Sequence, residues 1–285
     1  MHSFTDKAVN DLANEPGVFT REGVLFWKAG SPENATSYPV KLVTSDSVHP
    51  VTCWTSEPFL ADPDKVFKVQ ATVFASASGT LHLLSFQQDD AIHPLEVTPE
   101  RFCPVPGLVT DVYGLVEAIR TPELHQFVRD VFSLRAVFRR FWRASTEEQH
   151  LSWAGGLASH AADVAEVVAL QMPSYFHWGK DFSQIECDLG IVAALLHDIG
   201  KTVSYDTNGS LTERATVLGH QLLGVELLRG PLDTLRLSRP DLADAITVLL
   251  LSRTPGARDP YDLEAIMNFV SSADRFSLEC GISPG

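Results

Sequence analysis

Two hydrophobic periods divide the chain. Over its first 98 residues, short stretches mix β-branched and aromatic residues with polar ones in partial alternation. Such a period of two predicts strands with one face buried. Four stretches carry it: 38–45 (YPVKLVTS), 50–55 (PVTCWT), 66–75 and 80–87 (TLHLLSFQ). Between the last two lies Ser76-Ala77-Ser78-Gly79, small residues ending in a glycine, which predicts a hairpin. Short consecutive strands with tight turns point to a small antiparallel barrel or sandwich.

Past residue 112 apolar residues return every three or four positions, the period of a helix. Thr121-Pro122-Glu123 has the form of an N-cap, a proline in the first helical position and an acidic first turn. One helix is expected to follow, with Leu124, Phe127, Val128, Val131, Leu134 and Phe138 on its buried face. Arg129, Arg135, Arg139, Arg140 and Arg143 lie on its other faces, either as a solvated surface or as a path for an anionic substrate. Pro99, Pro104, Pro106 and Gly107 interrupt regular structure between the two patterns. The expected organisation is therefore a β-rich domain over 1–98, a linker over 99–112 and a helical domain over 113–285. The fold class is α+β.

Composition narrows the functions open to this chain. Of 285 residues, 45% are hydrophobic, enough for a real core. Net charge is −14, distributed as −6 over 1–110, zero over 111–150 and −8 over 151–285. That balance argues against tight non-specific binding of nucleic acid, which rests on phosphate neutralisation. The opening MHSFTDKAVN lacks the basic and apolar regions of a signal peptide. The most apolar runs, 190–196 and 245–251, are too short to span a bilayer. Cys53, Cys103, Cys187 and Cys280 are scattered and form no C-x-x-C pair. Reduced thiols, a cytoplasmic location and no membrane contact are the expectations.

The candidate chemistry sits in the helical part. The stretch 190–201, GIVAALLHDIGK, runs seven uncharged residues into His197-Asp198. This predicts a buried helix that delivers an imidazole and a carboxylate at the edge of the core. Both are costly there unless partnered, and a divalent cation partners both at once. Hydrogen bonds within a helix end are the plainer alternative. Upstream, Gly155-Gly156 precede a helix with Ala161, Val164, Ala165 and Val168 on its apolar face and His160 in its first turns. Downstream, Ile266, Phe269, Val270 and Ala273 form an apolar face that Asp274 extends at its end. Each of these two is ordinary alone and becomes a ligand candidate only in company with the others.

The order His … His-Asp … Asp, at intervals of 37 and 76 residues, resembles the HD superfamily of metal-dependent phosphohydrolases. The additional run His150 … Gly155-Gly156-Leu157 … His160, then His197-Asp198-Ile199-Gly200-Lys201, then Gly219-His220, is similar to the YhaM-type 3′–5′ exoribonucleases, with the HD domains of conjugative relaxases as near relatives. The resemblance implies an OB-fold ahead of an all-helical HD domain. It implies His160, His197, Asp198 and Asp274 as ligands of a divalent metal (Mn, Fe, Ni, Co, Zn or Mg). Asp198 would hold or deprotonate the attacking water. Lys201 would neutralise phosphoryl charge or simply end a helix in solvent. His150 and His220 would bind phosphate or complete a second metal position.

The chain also departs from that pattern. Leu251-Ser252-Arg253-Thr254 stands where the YhaM type has a histidine pair, and Leu151 where it often has a second histidine. One metal rather than two is therefore expected. Arg253 cannot ligate a metal but can hold a phosphate through paired hydrogen bonds. The leading expectation is a phosphohydrolase or phosphodiesterase acting on a nucleotide or a short single-stranded nucleic acid. Trp54 and Phe67 or Phe74 would then be stacking aromatics, or else part of the barrel core. The alternatives are an HD domain weakened in catalysis that serves as a metal-containing binding module, and a strand-binding barrel for which the HD domain is only a scaffold.

Overall fold

The computed structural model describes residues 16–27, 37–44, 48–54, 65–89, 93–144, 153–177, 180–205, 210–256 and 259–280. Contacts divide the chain into two compact units, residues 1–100 with 133–135 and residues 101–132 with 136–285. The fold is mixed α+β, a closed five-stranded barrel followed by helices.

The barrel strands are β1 (Gly17–Trp27), β2 (Tyr38–Val43), β3 (Val48–Cys53), β4 (Phe67–Ala75) and β5 (Leu81–Gln88). They close in the order β1-β2-β3-β5-β4, with β3 and β5 parallel and the other pairs antiparallel. This is an OB-like barrel. On β4, Val69, Ala71, Val73 and Ala75 point inward while Gln70, Thr72 and Phe74 alternate outward. Leu25, Leu42, Val51 and Leu83 from the other strands meet them in the core. The anticipated hairpin joins β4 to β5.

The sequence pattern did not single out β1. Arg21, Glu22 and Gly23 at its middle break the alternation. Its pairing with both β2 and β4 closes the barrel, so long-range hydrogen bonding overrides a weak local signal. The three aromatics also divide. Phe67 packs against the core, whereas Trp54 is 59% exposed. Trp54 Nε1–H donates to His82 Nδ1 at 3.0 Å, and Phe74 stacks on the same imidazole with ring centres 6.1 Å apart.

The helical unit comprises α1 (Leu108–Glu117), α2 (Pro122–Ser133), α3 (Arg135–Arg140), α4 (Gly156–Gln171), α5 (Gln184–Leu196), α6 (Lys201–Ser204), α7 (Glu213–Leu227), α8 (Arg229–Ser238), α9 (Pro240–Leu250) and α10 (Leu263–Cys280). The stretch 99–112 holds a 3-10 turn at Glu100–Phe102 and the start of α1. Phe102, Cys103, Leu108 and Val109 within it are buried. The single helix expected over 122–138 divides at Leu134 into α2 and α3. Arg129, Arg140 and Arg143 are engaged within the unit. Arg129 pairs with Glu117 at 3.6 Å, Arg143 Nε donates to the Phe102 carbonyl, and Arg140 Nη1 donates to the carbonyls of Thr202 and Tyr205. Arg140 thus satisfies acceptors that the C-terminal end of α6 leaves without helical partners.

Helix α5 is the centre of this unit. Every residue from Glu186 to Leu196 is buried, so the helix is enclosed on all sides. Its two interior carboxylates are fully used. Asp188 Oδ2 accepts from the Arg120 and Thr121 amides and the Thr121 hydroxyl, and its Oδ1 accepts from Gln184. Glu186 closes a capping box with Ser183 and accepts the Asp262 amide at 3.0 Å, which pins the entry of α10 to the start of α5.

A second polar anchor lies at the α8–α9 corner. Arg239 grips Asp241 through two nitrogens, and the Tyr261 hydroxyl donates to the same carboxylate. The hydrogen bonds from Arg239 hold the Asp241 carboxyl well below the usual carboxylate range. Burial first, then the neighbouring Asp241, pushes the Tyr261 hydroxyl up to about 12. A raised phenol stabilises the folded state below its unfolded value of about 10 and loses that contribution as pH climbs toward 12. The lowered carboxyl does the reverse. Its contribution is full above about pH 4 and falls as the medium acidifies further. Urea unfolding of wild type and Tyr261→Phe should therefore show a stability difference at pH 8 that shrinks by pH 11. A difference constant across that range would refute the anchor.

Candidate metal centre

Three helices supply the site. His160 comes from the second turn of α4, His197 caps the C-terminal end of α5, and Asp274 lies inside α10. Asp274 was expected at the end of an apolar face, but α10 runs on to Cys280. The two imidazoles meet edge to face, with Nε2 atoms 3.2 Å apart. Asp274 Oδ1 is 2.9 Å from His160 Nε2 and 3.9 Å from His197 Nε2.

These donors fit a cation. Nitrogen and oxygen ligands sit about 2.0–2.2 Å from a zinc-like ion, so neighbouring ligands stand roughly 3 Å apart. Among the described residues, His160, His197 and Asp274 form the group whose donor atoms all lie within 4.8 Å of one another. His197 Nδ1 lies 2.8 Å from the Ala194 carbonyl. A carbonyl only accepts, so that nitrogen carries a proton, and the neutral ring keeps its Nε2 lone pair for the centre. At the His160–Asp274 contact the carboxylate is likewise an acceptor, which puts a proton on His160 Nε2. A cation would displace that proton.

Asp198 is the neighbour of this trio. Its Oδ2 is 3.6 Å from His197 Nε2 and 2.8 Å from Lys201 Nζ, and its Oδ1 is 3.2 Å from His220 Nε2. Burial pushes the Asp198 carboxyl up, but His197, Lys201 and His220 together pull it below its ordinary value. Asp274 behaves alike. Burial raises it, while the His160 hydrogen bond and the neighbouring His197 outweigh that and lower it. Both carboxylates are therefore poised to face positive charge. Lys201, open between two readings in the sequence, is buried with its ammonium on Asp198.

Two glycines permit this crowding. Gly219 breaks α7 with a left-handed φ of 73°, and the chain re-enters the helix at His220. The His220 carbonyl then passes Gly200 so closely that a Cβ there would stand 1.8 Å from the oxygen.

A cavity of about 200 Å³ opens over the site, lined in part by His197, Asp198, Lys201, His220, Ser252 and Asp274. Gln221 and Ser271 also line it, and the sequence did not single them out. Ser252 takes a left-handed φ of 48°. The Ser252 amide donates to the Leu249 carbonyl and the Arg253 amide to that of Val248, which ends α9 in a Schellman motif. This turn puts Ser252 on the cavity and leaves the Arg253 side chain exposed, away from the lining residues. Arg253, expected from the sequence to hold a phosphate, is not among the residues that line this cavity. His150 lies outside the described residues.

Residues 157–277 match the family model of the HD domain. The match takes in His160, His197, Asp198 and Asp274 and the whole cavity lining. No curated protein matches the chain. Among the described residues, no helix is long and apolar enough to cross a membrane.

Proposed function

We propose that this protein is a metal-dependent phosphohydrolase that cleaves a phosphate ester or phosphodiester of a nucleotide or short single-stranded nucleic acid. The observation that carries this reading is the meeting of His160 Nε2, His197 Nε2 and Asp274 Oδ1 at ligand-to-ligand spacing inside the segment that matches the HD domain. These three would hold the cation, with Asp198 as the fourth donor on the His197 side. When bound, a divalent cation supplies Lewis acidity at the phosphoryl group and makes water a better nucleophile near neutral pH.

The remaining work falls to the chain. Asp198, kept ionised by Lys201 and His220, accepts the proton of the attacking water. The Lys201 ammonium neutralises phosphoryl charge. His220, 40% exposed on the open side of Asp198, binds the phosphate of the incoming substrate. The cavity is smaller than the roughly 300–1,000 Å³ of pockets that enclose a drug-sized ligand. It would receive the phosphoryl end and leave base and sugar at the mouth. On the barrel, the exposed Trp54 and the half-buried His82 and Phe74 form a row that favours a ligand with stackable bases.

Purified protein with Mn²⁺, Ni²⁺ or Co²⁺ is expected to hydrolyse bis-p-nitrophenyl phosphate, and Asp198→Ala to reduce turnover by about 100-fold or more. One observation favours a second reading. Both Asp198 oxygens are engaged by cationic or donor side chains, as in a binding module that has lost catalysis. Wild-type protein that binds the metal yet shows no metal-stimulated turnover on this substrate or on short RNA and DNA oligomers would decide for the module.

A further inference from the structure

The two imidazoles of the centre are not supported alike. His197 has a backbone carbonyl at Nδ1, while His160 has the side chain of Ser277, with Nδ1 and Oγ 3.1 Å apart. Ser277 is buried in α10, one turn beyond Asp274, and Asp163 stands one turn beyond His160 on α4. The Ser277 hydroxyl is also hydrogen-bonded to the Asp163 carboxylate. Two helices thus present matched pairs at i and i+3, the ligand and its support on each.

A neutral imidazole carries one proton. When Nε2 of His160 gives its lone pair to a cation, that proton sits on Nδ1 and needs an acceptor in a buried place. Ser277 Oγ is the acceptor within reach. Burial pushes the Asp163 carboxyl up, and a hydrogen bond from the Ser277 hydroxyl pulls against that; with its proton given to Asp163, the serine oxygen keeps its lone pairs for the ring. Resting on the metal reading above, we propose that Ser277 and Asp163 form a positioning relay, carboxylate to hydroxyl to imidazole, that fixes the tautomer and direction of His160 for cation binding. Neither residue touches substrate. Both act through the ring.

Titration calorimetry of the full chain with Mn²⁺ tests this, beside nitrogen NMR of histidine-labelled protein loaded with Zn²⁺. Ser277→Ala is expected to weaken Mn²⁺ binding by about 10–100-fold, the usual effect of removing an outer partner of a ligating histidine. Ser277→Thr, which keeps the hydroxyl, should restore affinity to within a few-fold. In the Zn²⁺-loaded wild type, His160 should show a slowly exchanging Nδ1 proton that is lost in Ser277→Ala, a change that a purely space-filling serine would not produce. Wild-type affinity and an intact Nδ1 signal in Ser277→Ala would overturn the relay and leave the metal reading standing. A wild type that binds no cation would instead remove that reading. If Ser277→Ala fails to fold, the solvent-facing Asp163→Asn takes its place. A loss of about tenfold supports the relay, and unchanged affinity overturns it.

Discussion

Asp274→Ala is expected to lower affinity for a divalent cation by more than about 100-fold, measured by titration of metal-free protein with Mn²⁺ or Zn²⁺. Removing an outer partner of a metal ligand already costs about 10–100-fold, so loss of a ligand itself belongs at or beyond the upper end. The charge makes this position the most sensitive of the three. His160 and His197 are neutral when they ligate, so Asp274 is the anionic member of the trio. Asp274→Asn separates the two contributions, because it keeps an oxygen donor and removes the charge. It should fall between wild type and alanine. The helix should survive either change, since Asp274 is partly exposed and its neighbours Ala273 and Val270 carry the packing of α10. An alanine variant that binds as tightly as wild type, with an unchanged far-ultraviolet spectrum, would remove Asp274 from the site and with it the case for a metal centre.

Asp188→Ala should produce the largest loss of stability, about 3–5 kcal/mol, read from urea unfolding followed at the helical signal. This carboxylate is fully buried inside α5 and accepts from four donors. Hydrogen bonds to a charged group are worth about 1.5–3 kcal/mol each, and a buried donor left without a partner costs about 1–3 kcal/mol. The Thr121 amide and hydroxyl cannot find water behind α5, so the costs accumulate without summing fully. Asp188→Asn should cost less, because the amide oxygen can still serve the Thr121 amide while the charge is lost. The damage should also reach the centre, because α5 delivers His197 at its far end. A loss below about 1 kcal/mol in the alanine variant would mean that the α2 entry is held by something else.

The parts of the fold that local pattern governs were legible. The hairpin at 76–79, the proline-led start of α2 and the buried run into His197 all follow from neighbouring residues. Strand β1 was not legible, because an Arg-Glu-Gly sequence reads as a turn until two partner strands pair with it. The break at Leu134 was hidden by an apolar period that runs straight through it. In the site, His160, His197, Asp198 and Asp274 stand out by residue type and order. Ser277 and Asp163 do not, although their i+3 spacing from Asp274 and His160 was a usable signal. A serine at that spacing is common, and it gains meaning only when a histidine ring lies opposite.

The chain by itself determined where a histidine and a carboxylate would meet the edge of the core. An uncharged run ending in His-Asp has to bury the helix and present two polar groups at its end, whatever surrounds them, because burial of apolar surface and the cost of unpaired polar atoms are properties of the local residues. Which groups those two would meet was decided in three dimensions. His160 and Ser277 are 117 residues apart and touch only because α4 and α10 pack with particular faces together. The division of labour at Asp198 depends on Gly219 turning His220 inward and on Gly200 admitting its carbonyl. Helix rotation sets side-chain partnerships at hydrogen-bond distance, and hydrophobic periodicity fixes a helix face far more coarsely than that.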